Sequence, residues 1–196
     1  MQIIGDAQRG APRHDDRRSV ITIGAYDGVH LGHRAVIAQV RERALELGCA
    51  SVVVTFDRHP ASVVRPESAP KLLTDLDQKL ELLEATGIDA VYIVRFDEDR
   101  ATESPTAFIE RALVGDLRAR EVIVGEDFHF GHKRSGNVAL LAQVGETHDF
   151  IVSPSGSVSV RNDDSVMCWP WLAPAAREMF SSISVPPRSL HPARNS

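Results

Sequence analysis

The sequence predicts an α/β protein: a parallel sheet with helices on both faces, followed by an irregular C-terminal tail. Two observations predict it. From Ser19 to about Phe150, short β-branched runs alternate with longer stretches of helical period. Strands separated by helices make parallel βαβ units, whose sheet is covered on both faces. The run Ser51–Phe56 (SVVVTF) is continuously apolar, as expected of a strand buried on both faces.

Each element has its own signal. Gln2–Ile4 reads as a short strand within a polar lead-in, residues 1–18. Val20–Gly24 (VITIG) is the first β-branched run of the main domain, residues 19–150. Leu31–Leu47 follows as a helix, with Ala35, Ile37, Ala38, Val40, Ala44, Leu45 and Leu47 forming a broad apolar face. Gly48 is placed to end it. After Ser51–Phe56, Thr74 and Asp75 are candidate caps for a helix carrying Leu76, Leu80, Leu82 and Leu83, with Gly87 as its stop. Ala90–Phe96 (AVYIVRF) is the next strand. Ser104-Pro105 opens another helix, since proline fits the first helical turn, and Phe108, Ile109, Ala112 and Leu113 give it an apolar face. Glu121–Gly125 (EVIVG) is a strand and Asn137–Val144 a short helix. Residues 151–196 change character. They hold six of the eleven prolines, many serines and both tryptophans, Trp169 and Trp171, without a sustained period. One short helix fits Ala173–Phe180; the rest is expected to be loosely ordered.

Bulk properties narrow the function. The 196 residues suffice for one sizeable domain. A formal net charge of −5 argues against a nucleic-acid partner, which favours a basic face. It leaves room for anionic small ligands at a locally positive site. Cys49 and Cys168 form no CxxC pair, so neither a disulfide framework nor a thiolate zinc site is expected, and a reducing, cytoplasmic setting is the default. No apolar stretch is long enough to span a bilayer, and the first residues lack the apolar core of a secretory signal. His30, His33, His59, His129, His132 and His148 are numerous, yet HExxH is absent, so no metal site is expected. GxxxxGK[ST], GxGxxG and GxSxG are absent as well.

The chemistry concentrates where the first strand enters the first helix. The turn reads Gly24-Ala25-Tyr26-Asp27-Gly28-Val29-His30-Leu31-Gly32-His33. Its glycines allow tight turning and close approach of backbone to a ligand. The helix start offers free N–H groups and a positive dipole end, which favour phosphate. His30 and His33 lie three apart, on one face of the first turn, and Gly32 is expected to leave room for a phosphate against the backbone. Such a constellation can stabilise charge developing in phosphoryl or nucleotidyl transfer. The remaining noteworthy residues follow Phe56 and Gly125, also at carboxyl ends of strands, where parallel sheets bind ligands.

This turn carries the HxGH signature of the nucleotidyltransferase superfamily. The full string resembles the GxFDGVHxGH signature of the FAD synthetase half of bacterial bifunctional riboflavin kinase/FAD synthetases, with Tyr26 where Phe is usual. Three further segments resemble the same family. Thr55-Phe56-Asp57-Arg58-His59-Pro60 is similar to TFxPHP, with Arg58 in place of Pro. Pro70-Lys71-Leu72-Leu73-Thr74, followed by Lys79, is similar to the stretch after it. Val124-Gly125-Glu126-Asp127-Phe128-His129-Phe130-Gly131, then Arg134 and Gly136-Asn137, resembles VGxDFxFGxxRxGN. On their own chemistry, Phe56, Pro60, Phe128 and Phe130 offer the flat apolar surface an isoalloxazine ring needs, and Lys133 and Arg134 offer donors for a phosphate. Taken alone, Phe128 and Phe130 also fit a strand extension with one ring in the core. Lys133 and Arg134 fit a solvated helix start equally well, and His59 fits a turn residue.

The resemblance implies a Rossmann-like nucleotidyltransferase fold and adenylyl transfer from ATP to FMN with Mg²⁺, giving FAD and pyrophosphate. By the same resemblance His30 and His33 are catalytic and bind the triphosphate. Gly24, Ala25, Tyr26, Asp27, Gly28, Gly32 and Asp127 bind ATP. Phe56, His59, Pro60, Phe128, Phe130 and Arg134 bind the flavin. Two family features are missing: the SSTxIR segment, of which Ser159 and Arg161 are a faint echo, and the C-terminal riboflavin kinase domain. The change near Ile151 reads as a replacement of the family's usual C-terminal part, by a shift of reading frame or a truncation. The alternatives are a non-catalytic nucleotide- or flavin-binding remnant, or a nucleotidyltransferase for another acceptor such as pantetheine phosphate.

Overall fold

The computed structural model describes residues 1–5 and 17–156. Its centre is a six-stranded sheet in which every pairing is parallel. The strands are β1 (Gln2–Gly5), β2 (Ser19–Ile23), β3 (Ala50–Phe56), β4 (Ala90–Val94), β5 (Ala119–Val124) and β8 (Ile151–Pro154), in the order β1-β4-β3-β2-β5-β8. A two-residue pair, β6 (His129–Phe130) and β7 (Gly136–Asn137), forms a separate antiparallel ribbon. The chain steps outward from β2 through β3 to β4, then returns to the far side of β2 as β5. The β2/β5 boundary is therefore the point where strand order reverses. Open parallel sheets bind ligands in the crevice at that point, beyond the carboxyl ends of the strands.

Alternation along the strands divides the core in two. Val20, Val53, Val91 and Ile123 point to one face. There they meet Ile37, Val40 and Ala44 of α1 (Leu31–Leu47) and Leu83 of α3 (Leu76–Glu84). Ile21, Val52, Val54, Tyr92, Val122 and Val124 point to the other. They meet Phe108 of α5 (Pro105–Phe108), Ile109, Ala112 and Leu113 of its π-helical continuation Ile109–Asp116, and Leu141 of α6 (Val138–His148). The expected α/β class with helices on both faces is what the chain forms.

The helix ends follow their local chemistry. Gly48 closes α1 at φ 61°, and its N–H reaches the Ala44 and Leu45 carbonyls. Asp75, rather than Thr74, caps α3, in a reciprocal capping box with Gln78. Ser104 caps α5 ahead of Pro105, and Asn137 caps α6. Two short helices carried no readable period: α2 (Pro60–Val64) and α4 (Glu98–Thr102).

The sheet runs past Phe150, where the sequence suggested that regular structure ends. Ile151–Pro154 adds an edge strand parallel to β5, and β1, inside the polar lead-in, forms the opposite edge. Four residues containing a serine and a proline are too few to show a period. Their register comes from β5 and from Glu121, which is 3% exposed. The Glu121 carboxylate accepts from Ser153 Oγ at 2.6 Å and from Arg43 Nε at 2.7 Å. Glu121→Ala strands both donors and is expected to cost about 2 kcal/mol, less than a fully buried pair because Arg43 reaches solvent. A lower urea midpoint at unchanged slope checks this. The expected helix at Ala173–Phe180, both tryptophans, Ser159 and Arg161 lie outside the described residues.

Candidate active site

The turn after β2 is held in an unusual backbone shape. Tyr26, Gly28 and Val29 have φ of 50°, 68° and 38°. Positive φ suits glycine but costs a β-branched residue such as Val29, so the surroundings must hold it there. Gly24 N–H donates to Val54 O at 3.0 Å, and Thr55 Oγ1 donates to Ala25 O at 3.0 Å. Tyr26 is 4% exposed, and its hydroxyl shares a 2.7 Å hydrogen bond with Thr22 Oγ1. A Cβ on Gly24 would come within 3.0 Å of the Tyr26 ring. The aromatic residue thus fills the space that the glycine leaves.

The two histidines meet at the start of α1. His30 is its N-cap, and Nδ1 of His30 accepts from the His33 backbone N–H at 3.4 Å. Their rings stack with centroids 3.6 Å apart, and His33 lies 4.8 Å from the Tyr26 ring. The space at Gly32 belongs to His30: a Cβ there would stand 3.2 Å from the His30 ring. His33 Nδ1 is buried without a hydrogen-bond partner, an arrangement that costs free energy until something pairs it.

Burial, and then the neighbouring His30, push the His33 ring down to about 4, against the pull of Asp27. The ring is therefore neutral at pH 7. Its ordinary value is 6.5. Between those values the unfolded chain binds the proton and the folded chain does not, so stability falls as pH drops from 6.5 towards 4. A shift of this size corresponds to about 3 kcal/mol, and solvent screening of a half-buried ring reduces it to about 1–2 kcal/mol. Thermal midpoints of wild type and His33→Asn over pH 4–7 should show a shallower acid decline in the variant.

Asp27 grips the segment before α3. Its carboxylate accepts from Leu73 N at 2.9 Å, Thr74 N at 3.0 Å and Thr74 Oγ1 at 2.9 Å. Gly28 N in turn donates to Thr74 Oγ1 at 3.2 Å. Partial desolvation opposes these bonds, yet they and the Lys79 ammonium hold the Asp27 carboxyl below the ordinary range. Lys79 of α3 is 7% exposed and donates to Phe56 O at 3.0 Å. Burial lowers its proton affinity, and Asp27 and Asp57 work against that.

The residues expected to hold a flavin fall into two groups. Phe56, at the end of β3, packs edge-on against Phe96 at 5.6 Å. Asp57 accepts the Phe96 N–H at 2.9 Å, fixing the two strand ends together. His59 caps α2, its Nδ1 accepting from Ala61 N at 3.1 Å, with Pro60 in the first turn. After β5, Phe128 and Phe130 stack at 5.3 Å, and Phe130 lies 6.0 Å from Phe108. Both rings pack against the core while half-exposed. They belong to the β6 turn rather than to an extension of β5. That turn is fastened to the chain before α5. His132 N–H donates to Glu103 O at 3.0 Å, and the His132 ring reaches Ala101 O at 3.0 Å. Asp127, Lys133 and Arg134 are exposed. Thr22, Phe96 and the Glu103–His132 link were not singled out by sequence, and Thr74 was read only as a cap candidate and as part of the Pro70–Thr74 segment. Each is an ordinary residue type whose role appears only when distant strand ends converge.

Among the described residues no three His, Cys, Asp or Glu side chains gather to hold a metal ion, and no helix is long and apolar enough to cross a membrane. A six-stranded parallel α/β sheet with a paired-histidine turn at its switch point defines a nucleotidyltransferase-like Rossmann domain. The FAD synthetase family model matches residues 12–166, and the chain belongs to that family. It is 37% identical over 160 residues to the bifunctional riboflavin kinase/FMN adenylyltransferase of Pseudomonas fluorescens, covering 82% of this chain and 50% of that one. The Escherichia coli (strain K12) protein of the same name is 37% identical over 134 residues, covering 68% and 43%. A putative bifunctional riboflavin kinase/FMN adenylyltransferase of Geobacillus thermodenitrificans is 43% identical over 123 residues, covering 63% and 66%. The chain spans about half the length of most of these relatives. The crystal structure of a macrolide-efflux protein from Streptococcus pneumoniae matches with a TM-score of 0.62 at 20% identity, covering 79% of this chain and 51% of that one. At that identity the likeness is one of fold alone.

Proposed function

We propose that this chain is an FMN adenylyltransferase. A phosphate oxygen of FMN attacks the α-phosphorus of ATP, the bond to the bridging oxygen of the β-phosphate breaks, and FAD and pyrophosphate form. The observation that carries this reading is the stacked His30–His33 pair at the N-terminus of α1, beside the sheet's switch point. Free N–H groups and the positive end of the helix favour the triphosphate there. The unpaired, buried Nδ1 of His33 fits a group that gains its partner with the ligand. An anion beside that ring raises its proton affinity again, so the His33 ring gathers positive charge as the pentacoordinate transition state gathers negative charge. No group on this chain needs to form a covalent intermediate; positioning and charge stabilisation suffice.

Phe56 with Phe96, and Phe128 with Phe130, offer apolar surface for an isoalloxazine ring, and the exposed Arg134 offers a cationic donor for a phosphate. Magnesium would enter with ATP, held chiefly by the phosphates, which is how this ion commonly binds. Flavin-bearing acceptors fit these aromatic walls better than a pantetheine phosphate, which has no flat ring to place there. Purified protein incubated with ATP and Mg²⁺ plus FMN, riboflavin or pantetheine phosphate tests the choice. FAD from the FMN mixture alone is expected; adenylylation of pantetheine phosphate in preference to FMN would sink the flavin assignment.

A further inference from the structure

We infer that Asp27, Thr74 and Lys79 form a clamp that fastens the histidine turn to α3, and that their role is to position His30 and His33 rather than to bind ATP. The inference rests on the adenylyltransferase reading for its kinetic arm only. It starts from the strained backbone between Tyr26 and Val29, where two non-glycine residues hold positive φ. Such a shape persists only when contacts outside it determine it. The contacts present converge on one place. Both Asp27 oxygens are occupied by Leu73 and Thr74. The Thr74 hydroxyl donates to Asp27 and accepts from Gly28 N–H, so one side chain bridges both arms of the turn. Those donors sit immediately before the Asp75 cap of α3, where the helix dipole favours a carboxylate.

Lys79 completes the arrangement from one turn further along α3. It is the one cationic side chain that is buried among the described residues. Its ammonium balances Asp27 and Asp57, which lie on the loops after β2 and β3, and its one hydrogen bond goes to the last carbonyl of β3. A buried ammonium is tolerated only with such compensation. One helix thus carries donors to the histidine turn and a cation between the two strand ends. Leu73 lies over the turn as well: a Cβ on Gly28 would come within 3.1 Å of its Cδ1. Oδ1 of Asp27 faces three protein donors and Oδ2 shares the Leu73 N–H, so most of the carboxylate's hydrogen-bonding capacity is used inside the protein.

Thr74→Val removes the bridging hydroxyl at nearly constant volume, Thr74→Ser keeps it, and Asp27→Asn and Lys79→Met remove the charges. Displacing reacting groups by an ångström costs about 100-fold. Thr74→Val and Asp27→Asn are therefore expected to lower kcat for FAD formation by about 10–100-fold while KM for ATP moves less than about threefold. Thr74→Ser should restore wild-type kcat. The second arm needs no turnover: imidazole NMR resonances of His30 and His33 should shift in ligand-free Thr74→Val and Lys79→Met, and stay in place in Thr74→Ser. A rise in KM for ATP with kcat and the imidazole resonances unchanged would overturn the clamp and make Asp27 a nucleotide contact. Unmoved resonances in Thr74→Val and Lys79→Met would overturn it too. Wild type that makes no FAD removes the adenylyltransferase reading, and the imidazole arm still decides the clamp.

Discussion

Replacing His30 and His33 together by alanine is expected to lower FAD formation by at least about 1,000-fold. Losing one preorganised donor to a developing oxyanion costs about 100- to 1,000-fold, and the two rings act as a unit, so their effects will not simply add. They stack at 3.6 Å, and one caps the helix in whose first turn the other lies. The stability cost is smaller. Removing the His30 cap forfeits about 1 kcal/mol, while Ile37, Val40 and Ala44 keep α1 docked on the sheet. Circular dichroism should be unchanged and the thermal midpoint lowered by a few degrees. Equal loss from the double variant and from either single variant would match a jointly acting pair. A double variant retaining more than about a tenth of wild-type kcat would remove these residues from the chemistry.

Gly131→Ala is expected to weaken FMN use by about 10- to 100-fold in KM, leaving KM for ATP almost unchanged. Gly131 sits at φ 72°, ψ −176°, a region that only glycine occupies comfortably. A Cβ there would also meet Pro105 Cγ at 2.7 Å and Pro105 N at 2.9 Å. Pro105 opens α5 and is itself buried, so the turn must give way instead. That turn carries Phe128 and Phe130, and His132 ties it to Ala101 and Glu103. Moving it displaces the aromatic surface by about the size of the clash, which is large against the tolerance of a stacked ring pair. Gly48→Ala is the matched control. It has φ 61° but open space around its Cβ, so it should cost about 1 kcal/mol of stability with no change in either KM. Steady-state kinetics with each substrate varied separately distinguishes the two.

Much of this architecture was legible from local pattern. Ser51–Phe56 declared itself as a central strand because burial on both faces leaves no polar alternation. Gly48 and Ser104-Pro105 marked helix ends through capping chemistry that acts within a few residues. The histidine turn was legible because ten consecutive residues carry it. What escaped notice depends on residues far apart in sequence. Thr74 looked like a helix cap, yet its hydroxyl serves a turn 46 residues away. Gly32 looked like room for a ligand, while the contact the structure adds is with the His30 ring, 3.2 Å from where a Cβ would stand. Ile151–Pro154 looked irregular because an edge strand this short takes its register from Glu121 and β5. Phe128 and Phe130 alternate as in a strand, but Phe130 lies in a ribbon separate from the main sheet and Phe128 in the turn that leads into it.

This chain itself is expected to transfer an adenylyl group to FMN. The most direct test follows the label of [α-³²P]ATP in the presence of FMN, Mg²⁺ and the purified chain. The account predicts label in FAD, one pyrophosphate released per FAD formed, and neither product with the His30→Ala, His33→Ala protein. A folded wild-type chain that binds ATP or FMN but puts no label into FAD would contradict the account and leave a nucleotide- or flavin-binding member of the family without its chemistry.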